Sequence, residues 1–84
     1  MKIKVSVTED DIENGGSACH NCPVARALLR ATGVMWKVHG DTGETRLGIE
    51  WRPYWFPGLV GEFVRSYDKC FDVLPFDFEI EVPE

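Results

Sequence analysis

Apolar and polar residues alternate along residues 2–7, with Ile3, Val5 and Val7 on one side and Lys2, Lys4 and Ser6 on the other. A period of two is that of a β-strand with one buried face. Lysines on the other face suit solvent or a sheet edge. The period then changes. Thr8-x-x-Asp11 is a near capping box, with Asp in place of the usual Glu or Gln, and it predicts a short helix. Glu9, Asp10 and Asp11 favour the positive end of its dipole, Ile12 is its apolar anchor, and Asn14-Gly15-Gly16 ends it. After a loop through Asn21, Pro23 fits the first position of a second helix. Val24, Ala27, Leu28 and Ala31 form its apolar face, Arg26 and Arg30 lie off that face, and Gly33 is its stop.

Alternation returns at residues 34–39, where Val34, Trp36 and Val38 oppose Met35, Lys37 and His39. Gly40-Asp41-Thr42-Gly43 supplies a turn. Residues 45–52 answer with Thr45, Leu47, Ile49 and Trp51 inward, which predicts a hairpin ended by Pro53. Pro57 then opens a helix whose stripe is Leu59, Val60, Phe63, Val64 and Tyr67 and which ends near Lys69. A connector over 70–75 leads to a last strand, 76–82, with Phe76, Phe78, Ile80 and Val82 inward and Asp77, Glu79 and Glu81 outward, stopped by Pro83. The order is β, short α, α, β, β, α, β. One four-stranded sheet, mostly antiparallel or mixed, with two helices on one face uses every apolar stripe. The expected fold is therefore an α+β two-layer sandwich.

Several runs also carry a resemblance. Val5-x-Val7-Thr8-x-x-Asp11-Ile12, Asn14-Gly15, Cys19-x-x-Cys22-Pro23-Val24-Ala25-x-Ala27-Leu28, the run Phe63 to Asp68, and Pro75-Phe76-x-Phe78-Glu79 resemble a family of small uncharacterised proteins of bacteriophages and bacteria. The motif covers both ends of the chain. Where the family places a glycine after the Asp of the closing helix, this chain has Lys69-Cys70, so the connector there is expected to differ. The resemblance implies a phage setting, a host cytoplasm and an anti-CRISPR-like inhibitor. It supplies no chemistry.

Eighty-four residues fit one domain, 1–84, with a limited core. An apolar fraction of 44% argues against wholesale disorder. No apolar run approaches the ~20 residues of a membrane span, and MKIKVSV lacks the continuous apolar core of a signal peptide. A reducing, cytoplasmic setting is expected, and three cysteines agree with it. The net charge of −5 is uneven. Glu9, Asp10, Asp11 and Glu13, and again Asp72, Asp77, Glu79, Glu81 and Glu84, stand in segments without a base, whereas 15–69 holds seven bases against five acids. Such a chain repels phosphate, so direct nucleic-acid binding is disfavoured and a basic partner protein is favoured.

Three constellations compete for function. Cys19 and Cys22 suggest a metal clip or a thiol-redox pair. A zinc site needs four ligands, however, and only Cys70, His20 and His39 remain, while no thioredoxin-like βαβ pattern surrounds the pair. Thiols packed as small apolar groups are the plainer reading, and no metal or cofactor is expected. Tyr54, Trp55 and Phe56 form either a lid on the core or an exposed aromatic binding patch. The outward acids of the last strand repeat roughly every 7 Å along one face. With those of 8–14 and Asp72, they form either a solvated face or a phosphate-like array. No nucleophile, base and orienter can be assembled. The expectation is a monomeric, non-enzymatic protein. Its acids would bind a basic nucleic-acid-handling host protein, for example a CRISPR effector subunit, as a nucleic-acid mimic does.

Overall fold

A computed structural model describes residues 2–16, 19–47, 50–69 and 72–81, without the side chains of 46–47 and 50–52. The inward placement expected of Leu47, Ile49, Trp51 and Val82, the Pro83 stop, and Cys70 and Glu84 lie outside the described residues. The described residues form β1 (Lys2–Val7), α1 (Glu9–Asn14), α2 (Pro23–Thr32), β2 (Trp36–His39), β3 (Thr42–Leu47), β4 (Glu50–Trp55), α3 (Gly58–Asp68) and β5 (Phe76–Glu81).

The α+β class holds, but the single four-stranded sheet does not. Two antiparallel sheets replace it, β1-β5 and β2-β3-β4. The predicted strand 45–52 is two strands. β3 begins already at Thr42, and β4 runs through Pro53 to Trp55. Pro53 is accommodated because, among the described residues, β4 is an outer strand paired with β3 alone, so the missing N–H leaves no ladder bond unmade on its open side. The hairpin thus becomes a three-stranded meander, and β1 and β5 pair with each other.

The first turn of that meander is tighter than the predicted 40–43. His39 faces Thr42 across a two-residue loop, with Gly40 at φ 70°, as such loops require. Gly43 consequently lies inside β3 and not in the turn. A Cβ there would come within 2.6 Å of the Phe56 ring, so glycine is the residue that lets this ring lie on the sheet.

The capping box forms as read: Thr8 Oγ1 accepts from the Asp11 amide, and Asp11 Oδ2 accepts from the Thr8 amide. Cys22 caps α2, its Sγ accepting from the Ala25 amide at 3.4 Å, and Gly33 ends the helix in the left-handed conformation. Within α2 the buried residues are Pro23, Val24, Ala25, Ala27 and Leu28, while Ala31, expected inward, is exposed. α3 starts after Pro57 and not on it, and it buries Val60, Phe63 and Val64. Leu59, also expected inward, is exposed.

One core joins both sheets to α2 and α3. A run of rings links them: Trp36, Tyr54 and Phe56 pack together at 5.5–5.9 Å, Phe56 meets Phe78, and Phe78, Phe76 and Phe63 follow. Trp36 is fully buried, with its indole N–H donated to Thr32 Oγ1 at 3.1 Å. Tyr54 closes the gap between the sheets from the other side, its Oη accepting from the Glu81 amide at 2.7 Å. The Cα radius of gyration, 11.8 Å, is about that of a compact chain of this length. Among the described residues no helix is long and apolar enough to cross a membrane.

Candidate partner-binding surface

The acids singled out in the sequence do not behave alike. Glu9, Asp10 and Glu13 are exposed on α1. Asp11 belongs to the same run but is fully buried, so it is no part of a binding face. The capping box turns its carboxylate inward, and Arg30 from α2 meets it with Nη1–Oδ1 at 2.9 Å and Nη2–Oδ2 at 2.7 Å. Arg30 Nη2 also donates to the Ser6 carbonyl at 2.8 Å, and Arg26 Nε stands 3.6 Å from Asp11 Oδ1. Burial by itself pushes the Asp11 carboxyl up, but the Arg30 guanidinium and the Thr8 amide outweigh it and bring the pKa down to about 2. Asp10 lies 3.5 Å from Arg26 Nη2 and accepts from Asn14 Nδ2. The sequence showed Arg26 and Arg30 only as residues off the apolar face. Their i, i+4 spacing is the signal that they can converge on one carboxylate.

The row on β5 is exposed as predicted, but it is not bare. In register, Lys2 faces Glu81, Lys4 faces Glu79 and Ser6 faces Asp77. Lys4 Nζ reaches Asp77 at 3.5 Å, while Glu79 and Glu81 form no ion pair among the described residues. Three carboxylates therefore share their surface with two ammoniums, which is less negative than a nucleic-acid backbone. Asp72 is exposed beside Leu74 and Leu59 in a shallow groove between α3 and the segment before β5.

The aromatic candidates separate. Phe56 is core, Tyr54 is half-buried and bonded to Glu81, and Trp55 is 75% exposed. The alternation of β4 explains this, since Tyr54 faces Gly43 across the ladder and Trp55 points the other way. The structure does bring together two features that the sequence kept apart. Tyr54, Trp55, Phe56 and Pro57 line one wall of an open cleft of about 400 Å³, and Glu79, Ile80, Glu81 and Lys2 line the other.

Cys19 is half-buried and Cys22 buried, both as free thiols. Burial pushes the Cys22 thiol up, with the Ala25 and Val24 amides only partly offsetting it. A thiol that keeps its proton is a poor nucleophile and a poor metal ligand. His20 and His39 are exposed. Among the described residues no three His, Cys, Asp or Glu side chains gather as a metal site.

Comparison with protein-family models, with curated proteins and with solved structures finds no match to this chain. The phage-family resemblance therefore rests on its motif residues alone.

Proposed function

We propose that this chain is a small non-enzymatic binding protein that holds a basic protein partner through surface carboxylates. The distribution of charge in the folded chain supports the reading. Arg26 and Arg30 are turned onto Asp10 and Asp11, while Glu9, Glu13, Asp72, Glu79 and Glu81 stand exposed without an ion pair among the described residues. In its specific form the partner is a nucleic-acid-handling protein of a bacterial host, such as a CRISPR effector subunit, and the chain acts as a monomer in that host's cytoplasm. The phage setting comes from the motif resemblance. Because Lys2 and Lys4 temper the β5 row, a nucleic-acid mimic of this shape needs the α1 acids as well.

The test is capture from a bacterial lysate at low salt. A basic, nucleic-acid-binding protein is expected, released as salt rises to roughly 0.5 M and displaced by duplex DNA. Serine in place of Glu9, Asp10 and Glu13, or of Asp77, Glu79 and Glu81, is expected to weaken capture. Capture indifferent to salt and to both triple substitutions sinks the reading. The exposure of Trp55 favours a second reading, a partner held by the aromatic side chain. Loss of salt-insensitive capture on Trp55→Ala identifies it.

A further inference from the structure

The cleft beside Trp55 is walled by the open edge of β5, and its chemistry specifies an occupant. Among the described residues β5 pairs only with β1. The Glu81 amide donates to Tyr54 Oη, so it points away from β1 into the cleft. Backbone groups alternate along an antiparallel strand, so those of Glu79 and Asp77 face the same open edge. Tyr54 occupies the last donor of this row.

β1 shows what such an edge accepts. Its sequence Lys-Ile-Lys-Val sets Lys2 and Lys4 opposite Glu81 and Glu79, while Ile3 and Val5 pair with Ile80 and Phe78 on the inner face. The second edge offers the same carboxylates on its outward side, while Ile80 and Phe78 on the inner side are already buried, so the apolar surface left in the cleft is that of Tyr54, Trp55 and Pro57. Trp55 adds an exposed ring on which a cation can rest. A second copy of β5 is disfavoured, because it sets carboxylate against carboxylate.

We infer that this cleft docks a short extended segment of a partner protein, in which Lys or Arg alternates with apolar residues, as an added strand on β5. The inference rests on the reading of a basic partner and gives that partner's segment a pattern and a place. The segment's cations sit by Glu79, Glu81 and Trp55, and its apolar side chains lie toward Tyr54 and Pro57. Lys2 remains with Glu81 on the β1 side.

The experiment is an amide NMR titration of the full chain with the free hexapeptide Lys-Ile-Lys-Val-Ser-Val, against Glu-Ile-Glu-Val-Ser-Val as control. Shifts are expected at the amides of 77–81 and at the Trp55 indole N–H, for the basic peptide alone, fading between roughly 0.05 and 0.5 M salt. Glu79→Gln with Glu81→Gln, and separately Trp55→Ala, are expected to weaken the peptide about 5-fold or more. All three side chains are on the surface, and the β1–β5 amides report whether the variants keep the fold. Equal response to both peptides overturns the inference, as does an unchanged affinity in both variants. Shifts at residues 9–13 instead overturn the cleft and leave a basic partner standing. No shift at millimolar peptide also overturns the cleft, and the basic partner is then judged by the lysate capture alone.

Discussion

Arg30 meets Asp11 side on, with two parallel N–H···O bonds of 2.9 and 2.7 Å, across the junction of α2 and α1. The carboxylate is sealed from water while the guanidinium remains half in it. Removing the cation strands a buried charge, and removing the anion leaves a cation that water can still reach. Arg30→Ala is therefore expected to lower the unfolding free energy by on the order of 3 kcal/mol. Arg30→Lys keeps the charge without the fork and should recover only part of that. Urea denaturation of the two variants checks both expectations.

The same pair sets the response to acid. The Asp11 carboxyl is held at about 2, against an ordinary 3.8. A lowered folded-state pKa gives stability that is present above the ordinary value and is lost as pH falls through the folded one. Roughly 2 kcal/mol should disappear between about pH 4 and pH 2. Asp11→Asn should lack that loss, so the stability gap between the two proteins narrows toward acid. Denaturant midpoints taken at steps of pH measure it, and a constant gap rules the linkage out.

Two glycine substitutions separate packing from chain entropy. Gly43→Ala drives a methyl into the Phe56 ring and should destabilise by about 1–3 kcal/mol. Gly58→Ala, at the first position of α3 where an added Cβ meets nothing, should be neutral or stabilise by a few tenths to about 1 kcal/mol. Thermal melting of the pair reads the difference in sign.

The two described cysteines, Cys19 and Cys22, should react in order. Cys19 is half-buried, whereas Cys22 is buried at a helix cap with its thiol pKa raised. Native alkylation near neutral pH, followed by peptide mapping, should label Cys19 before Cys22. Faster labelling of Cys22 would revive a thiol-redox role.

Much of this chain could be read before folding it. Strict alternation located β1, β2 and β5, and the caps at Thr8, Pro23 and Gly33 located α1 and α2. The failure over residues 45–52 has a physical cause. Pro53 is a strand breaker in a central strand and harmless in an outer one, and only the sheet order decides which applies. Sheet order is a long-range property, so alternation cannot supply it. The same holds for the candidate surface. The capping box marks Asp11 apart from Asp10 but does not say that it is buried; the neighbouring helix, through Arg30, decides that and leaves Asp10 in solvent. Trp55 likewise reads as one ring among three until β4 turns its neighbours inward.

The pairing of β1 with β5 also has a bearing on how the chain comes to be folded. The β2-β3-β4 meander and the α1–α2 corner join residues close in sequence, so they can form as soon as those residues are available. β1 must wait for a partner 69 to 79 residues away, from the Val7 and Phe76 pair to the Lys2 and Glu81 pair. Closing that loop carries an entropic cost that the local elements do not face. On the ribosome, Val5 and Val7 remain without their sheet until nearly the whole described chain has emerged. The meander should therefore gain amide protection before β1 and β5, and the edge that borders the cleft should be the last part of the molecule to take shape.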